Sequence, residues 1–104
     1  MKFSDLDEAA GRDETVAERD MHDRHRAVLR AALRAGIAIR DAREEAGLTQ
    51  TELAARIGIA QSALSRIEAG RANLTLGTLQ RVTEALDLPL RLAVGTHDIT
   101  ITAA

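Results

Sequence analysis

Six polar residues in the middle of this chain lie on the predicted outer faces of two short helices. They are Gln50, Thr51, Gln61, Ser62, Ser65 and Arg66. Together their side chains supply both hydrogen-bond donors and acceptors, which is the chemistry that base edges in the major groove of DNA require. A helix face that only meets solvent more often carries Glu and Lys. These residues are therefore the candidates for contacting nucleic acid.

Two short helices and a tight turn are predicted to position these side chains. Thr49 and Glu52 have the Thr-x-x-Glu spacing of a capping box, which predicts a helix over Gln50–Ile57. Gly58 follows it, where a left-handed backbone costs glycine little. A second helix is predicted over Gln61–Ala69. Two helices joined by a glycine-containing turn have the pattern of a helix-turn-helix.

Apolar residues at the inward positions predict the core of this pair. They are Leu48, Leu53, Ala54, Ile57, Ile59, Leu64 and Ile67. Ala54 is small where the two helices must approach closely, and Ile59 is expected to fill the turn.

Further helices are predicted on both sides of the motif. Upstream, apolar spacing predicts a helix from about Glu14, with Gly36 as its end or a kink. A separate helix is expected over Ile37–Ala46. Downstream, Thr75 is expected to cap a helix over Leu76–Leu86. The chain is thus predicted to be mainly α-helical.

The tail changes to period two and predicts a β-hairpin around a four-residue turn, Gly95–Asp98. Its apolar face consists of Leu90, Leu92, Val94, Ile99 and Ile101. A lone hairpin is marginal in water, so this face must cover either its own helical domain or the same tail of a second subunit. We expect a dimer, because strand edges invite pairing and two symmetric recognition helices would lie about 34 Å apart on a palindrome.

Composition restricts the class of protein. The 104 residues suit one compact domain with an extension. The absence of Cys excludes disulfide and thiolate chemistry. No apolar run approaches the ~18 residues that a membrane span needs. No signal-peptide pattern opens the chain, so a cytoplasmic protein is expected. The net charge of −2 is segregated, since Met1–Asp23 is acidic whereas Arg24–Arg40 holds five Arg and no acid.

Other candidate features favour plain surface roles. The Arg24–Arg40 segment is either a solvated face that pairs with nearby acids or a contact for phosphate or a protein partner. His22 and His25 lack a third ligand, so no metal or cofactor is expected. No catalytic motif is present, which argues against an enzyme. Met1–Asp13 is polar and acidic and is predicted to lack stable structure.

Residues Ile37–Leu88 resemble the Xre/Cro-type repressor domain, a compact bundle of about five helices. The matching residues are Gly47-Leu48-Thr49-Gln50-Thr51-Glu52-Leu53-Ala54, Gly58-Ile59-Ala60-Gln61-Ser62 and Ser65-Arg66-Ile67-Glu68-Ala69-Gly70. The resemblance implies phosphate contacts for Gln50 and Asn73, base reading by Gln61 and Ser62, and contacts to bases or backbone from Ser65 and Arg66. Ala60 departs from the family, which often has a capping Ser or Thr there.

The whole layout resembles the HigA-type antitoxins: an acidic N-terminus and basic helical extension over 1–35, an Xre domain over 36–88 and a β-hairpin over 89–104. That resemblance implies a dimer that represses its own operon at a DNA operator and binds a HigB-type mRNA endonuclease as its toxin. Two other functions stay open. One is a stand-alone prophage-type or controller regulator, and the other is a protein-interaction scaffold without DNA binding.

Overall fold

A computed structural model describes residues 15–102, which form four α-helices followed by one antiparallel pair of strands. The helices are α1 (Val16–Glu45), α2 (Gln50–Ile57), α3 (Gln61–Glu68) and α4 (Leu76–Ala85), and the strands are β1 (Leu90–Val94) and β2 (His97–Ile101). The mainly helical class and the terminal hairpin are confirmed. Five helices are not found in this part of the chain, and the expectation for Met1–Asp13 lies outside the described residues.

Helix α1 runs through Gly36 without ending there, so the predicted helix end at Gly36 and the separate helix from Ile37 are wrong. Gly36 is buried, and a Cβ at this position would lie 2.7 Å from the carbonyl oxygen of Glu68 and closer still to that of Ile67. Glycine is therefore required for a close approach of α1 to the end of α3. In the sequence, Gly36 therefore marks a site where two helices pack closely and not the end of a helix.

The start of α1 has a capping box that the sequence analysis missed. The backbone N–H of Thr15 donates to the Glu18 carboxylate at 2.8 Å, and the Glu18 N–H donates to Thr15 Oγ1 at 3.0 Å. By its contacts the chain divides into two units, Met1–Arg30 and Ala31–Ala104. All described residues of the first unit are exposed.

The core of the second unit lies where the helices of the motif meet. Leu53 and Leu64 are fully buried at its centre. Ile39, Ala54, Ile57, Ile67 and Val82 complete the buried cluster, and Leu48 and Ile59 pack against it half-buried. The core predicted for the helix pair is confirmed. Ile39 of α1 and Val82 of α4 extend it, so each of these helices contributes an apolar residue that steadies α2 and α3.

Two glycines shape the chain around α3. Gly58 ends α2 with φ +77°, a left-handed conformation that turns the chain toward α3. Gly70 follows α3 with φ +74°, and a Cβ there would lie 2.8 Å from the Cα of Leu33. The predicted turn at Gly58 is confirmed, and Gly70 adds a second close approach of α1 to the end of α3.

The hairpin pairs Leu90 with Ile101, Leu92 with Ile99, and Val94 with His97. Its turn is Gly95-Thr96, shorter than predicted, because His97 and Asp98 belong to β2. Leu90 is buried beside α4, whereas Val94 is 66% exposed and Ile99 47%. The apolar face is therefore covered at the base of the hairpin and open at its tip.

Candidate nucleic-acid interface

Helix α2 begins with the predicted capping box. The Thr49 backbone N–H donates to Glu52 Oε1 at 2.8 Å, and the Glu52 N–H donates to Thr49 Oγ1 at 3.1 Å. The hydrogen bonds from the Thr49 backbone and side chain hold the pKa of the Glu52 carboxyl below its usual value. The box fixes the first turn of α2 and therefore the position of Gln50, its first residue.

Helix α3 begins differently, because Ala60 stands at its N-cap with extended backbone angles and makes no side-chain capping bond. Gln61 and Ser62, the first two residues of the helix, are exposed. The first N–H groups of a helix have no partner within it, and a helix N-terminus favours negative charge. At the exposed start of α3 the N–H groups of Gln61 and Ser62 are open donors, whereas that of Ala63 donates to the Ala60 carbonyl at 3.0 Å.

The far end of α3 is anchored by a buried ion pair with α1. Arg43 Nε and Nη2 donate to the two carboxylate oxygens of Glu68 at 2.8 Å and 3.0 Å, and Arg43 Nη1 donates to the Leu48 carbonyl at 2.8 Å. The side chains are 10% and 4% exposed. A two-bond arginine–carboxylate pair of this geometry fixes both orientation and distance.

A chain of hydrogen bonds links this ion pair to the start of α3. Gln50 Nε2 donates to Glu68 Oε1 at 2.9 Å, and Gln61 Nε2 donates to Gln50 Oε1 at 2.7 Å. The structure therefore brings together Gln50 and Gln61, the residues predicted to contact phosphate and base. A direct hydrogen bond therefore joins their two amides.

The charges of the ion pair are supported by their surroundings. Burial raises the pKa of Glu68, but hydrogen bonds from Arg43 and Gln50 outweigh it and leave the pKa below the usual value. The hydrogen bond with Glu68 raises the pKa of Arg43. Glu68 is therefore a carboxylate at neutral pH, with acceptor atoms only.

The other predicted contact residues lie on α2, on α3 or in the segment between α3 and α4. Thr51 is exposed on α2 and Ser65 is half-buried on α3. Arg66 is exposed, with Nη2 3.5 Å from the Arg71 carbonyl. Asn73 is exposed between α3 and α4. Their contacts with DNA stay predictions.

The sequence analysis missed Arg43 and Glu68 as site residues. Both fall at helical spacing from core positions, Arg43 four residues after Ile39 and Glu68 four residues after Leu64. Each residue therefore places a charge on the apolar face of its helix, and the two charges are opposite. On two helices that pack together, this pattern predicts a buried ion pair.

The basic segment forms ion pairs along α1, with Arg24 4.0 Å from Asp20 and Arg40 3.4 Å from Asp41. These pairs favour a solvated face for both arginines. Among residues 15–102, no group of three or more His, Asp or Glu is placed to hold a metal ion, and no helix has the length and apolar character of a membrane span.

The helix-turn-helix family HTH_3 matches residues 39–92, about half of the chain. The chain belongs to this family. Its match begins at Ile39 of α1 and reaches Leu92 of β1, so it contains the whole site. Membership shows that the chain carries a helix-turn-helix DNA-binding domain, which points to a DNA-binding regulator and not to an enzyme.

Three known proteins that are similar to this chain carry the name of a regulator. Two uncharacterized HTH-type transcriptional regulators of Sinorhizobium fredii, y4dL and y4dJ, are 47% identical over 55 residues and 50% identical over 44. These matches cover 53% and 42% of this chain, but only 28% and 57% of the relatives' lengths. The crystal structure of the clp gene regulator ClgR from C. glutamicum is similar with a TM-score of 0.52 and 37% identity, covering 58% of this chain and 74% of that one.

Proposed function

We propose that the chain is a sequence-specific transcriptional repressor that binds a double-stranded DNA operator through α3. The observation that carries this proposal is the exposed start of α3, where Gln61 and Ser62 stand beside open helix N–H groups and are tied to α2 by the 2.7 Å Gln61–Gln50 hydrogen bond. A rigidly presented amide is suited to reading a base edge, and open N–H groups to holding a phosphate.

In the proposed complex each polar side chain has a separate task. Gln61 and Ser62 read bases, and Ser65, Arg66 and Thr51 add contacts at the groove. Gln50 and Asn73 hold phosphates and so set the register. Gln50 keeps one Nε2–H for this role, because its other amide groups are engaged with Glu68 and Gln61.

Selection of binding sites from a random DNA library with the purified chain tests the proposal. We expect a defined site, with affinity that falls steeply as salt rises, because neutralised phosphates release counterions. A scaffold that does not bind DNA would enrich no site. Enrichment of nothing above the starting library would therefore overturn the proposal.

We also propose that the hairpin is the dimer interface, which would place two copies of α3 on a palindromic operator. The support is the open tip of its apolar face, Val94 and Ile99, and the outer edges of a sheet that has two strands in the described chain. Such edges and patches favour association with a second copy.

Light scattering on point variants tests the dimer. Val94→Asp combined with Ile99→Asp should give monomers and weaken operator binding, because two carboxylates would be placed in the interface. Thr100→Asp, on the opposite face of β2, is the matched control and should stay dimeric. Removal of residues 90–104 should also give monomers, and a truncated chain that stays dimeric would contradict the proposal.

The antitoxin function is the finer form of this proposal, in which the repressor also neutralises a HigB-like mRNA endonuclease. It is favoured by exposed apolar residues on the first half of α1, where Met21 is 65% exposed, Val28 58% and Leu29 49%. Such a stripe on a helix is suited to a protein partner. A stand-alone regulator would not need it.

Co-expression with the product of the neighbouring gene separates these functions. For an antitoxin, the neighbour should be a small basic protein that arrests growth when expressed alone and co-purifies with this chain. Val28→Asp with Leu29→Asp should abolish rescue while leaving operator binding intact. If that variant rescues growth as well as the wild-type chain does, the exposed residues of α1 no longer support the antitoxin function. If the neighbouring gene product is harmless and does not bind this chain, the stand-alone regulator is favoured.

A further inference from the structure

The hydrogen-bond chain from Arg43 to Gln61 has a direction, and Glu68 sets it. The carboxylate of Glu68 is fixed by two bonds from Arg43 and has only acceptor atoms. The amide of Gln50 must therefore meet it with Nε2–H, as it does at 2.9 Å. This leaves Gln50 Oε1 turned toward Gln61.

The orientation of Gln61 follows from that of Gln50. Gln61 Nε2 donates one hydrogen to Gln50 Oε1 at 2.7 Å, which leaves one N–H and the Oε1 acceptor of Gln61 unengaged by this chain of bonds. In the major groove adenine presents a donor and an acceptor, whereas guanine presents two acceptors. The amide of Gln61 as held here matches adenine and mismatches guanine.

We propose that Glu68 is a specificity-determining positioning residue, which acts through Gln50 to hold the Gln61 amide in the orientation that selects adenine over guanine. The proposal rests on the proposed function, in which Gln61 reads a base. The Glu68 side chain is 4% exposed, so it acts through its neighbours and not by touching DNA.

Removing both acceptor atoms of Glu68 should release the chain. Oε1 accepts from Arg43 Nη2 and from Gln50 Nε2, whereas Oε2 accepts from Arg43 Nε. In Glu68→Met neither acceptor remains, so the amide of Gln50 can also turn its Nε2 toward Gln61. Gln61 then accepts with its own Oε1 and presents two N–H groups to the groove. Two donors match guanine, so the variant should lose its preference for adenine.

The test measures the affinity of the full chain for the selected operator with adenine or with guanine at one position. That position is the one at which Gln61→Ala removes the preference among the four bases. We expect Glu68→Met to reduce the adenine-to-guanine preference by about tenfold or more, since a two-bond contact to a base is worth about that much. Glu44→Gln is the matched control: its carboxylate also lies near Arg43, at 3.9 Å, but makes no bond to Gln50. It should keep the wild-type preference.

A second variant keeps the test decisive if Glu68→Met does not fold. Gln50→Met cuts the chain at a half-buried position and leaves the Arg43–Glu68 pair intact. It should weaken binding to both operators and lower the adenine preference, because Gln61 is then free to turn. A folded Glu68→Met or Gln50→Met protein with the wild-type preference would overturn the role of Glu68.

The Gln61→Ala variant distinguishes failure of the proposed base reading by Gln61 from failure of the positioning role of Glu68. If Gln61→Ala leaves every base preference unchanged, Gln61 is not a base reader and the proposed function of this residue fails. If Gln61→Ala removes the base preference at one position while Glu68→Met and Gln50→Met keep that preference, only the positioning role of Glu68 fails.

Discussion

Helices α2 and α3 have the same length of eight residues but are held at opposite ends. α2 has a complete capping box at its start and is fixed there by its own sequence. α3 has Ala60 at its start without a side-chain cap, and its last residue, Glu68, is bonded to Arg43 of α1. α2 is thus fixed locally, whereas α3 depends on tertiary contacts at the end remote from Gln61.

This difference suits a helix whose start must be presented to a ligand. The open N–H groups of α3 are best satisfied when a phosphate lies near them, and the anchor at Glu68 keeps the exposed end from drifting. The same anchor orients Gln50 and Gln61. Stability and presentation of the site therefore depend on the same buried pair.

The largest effect should come from breaking the anchor of α3. Glu68→Ala leaves the buried guanidinium of Arg43 without its partner, which should lower the free energy of unfolding by about 3–5 kcal/mol. Urea unfolding followed by circular dichroism measures it. Glu44→Ala, at an exposed neighbour of Arg43, should change it by less than about 1 kcal/mol. Equal effects of the two variants would show that α3 is not anchored at this pair.

The next effect concerns the close approach of α1 to the end of α3. Gly36→Ala should destabilise the protein by about 1–3 kcal/mol, because the added Cβ meets two backbone carbonyl oxygens. Gly77→Ala on α4 is the matched control, since its Cβ would meet only Thr75 Oγ1 at 3.9 Å. It should stabilise by up to about 1 kcal/mol. Melting temperatures that shift in the same direction would contradict the close approach.

Removing the cap of α2 and adding a cap to α3 should change the stability of the protein in opposite directions. Thr49→Ala removes the cap of α2 and should cost about 1 kcal/mol, whereas Ala60→Ser gives α3 the cap that it lacks and should stabilise by up to about 1 kcal/mol. Thermal unfolding of both variants measures the two shifts. A loss of stability in Ala60→Ser would mean that the start of α3 is satisfied in a way that the present contacts do not show.

The smallest effect should appear on acidification. The folded pKa values of Glu68 and Glu52 lie below the ordinary value of 4.5, so their contribution to stability is complete above that value and is lost as pH falls through the folded values. The free energy of unfolding should therefore decline below about pH 4.5. Glu52→Gln should flatten part of this decline, and an unchanged profile would mean that the α2 cap does not depend on charge.

Local signals predicted most of the fold. The Thr49–Glu52 box, the turn at Gly58 and the apolar positions of α2 and α3 depend on residues close in sequence, and the structure has them as predicted. Gly36 was misinterpreted because a glycine inside a helix is equally a stop signal and a packing site. Only the position of α3 against α1 decides between these, and that contact joins residues far apart in sequence.

The same reason explains what was missed in the site. Gln50 and Gln61 were predicted from the motif, but the bond between them and the bonds from Glu68 and Arg43 need the packed structure. Charged residues are expected at the surface, so a buried pair is found from sequence only when both members are seen to occupy apolar helix positions.

The base preferences of Gln61→Ala test the central claim most directly. The wild-type chain, Gln61→Ala and the matched control Gln80→Ala on α4 are compared on all four bases at each position of the selected operator. With melting temperatures equal to wild type, Gln61→Ala should lose about tenfold preference at one position of each half-site while Gln80→Ala loses none. A folded Gln61→Ala protein with the wild-type profile would contradict the assignment of α3 as the base-reading helix through Gln61.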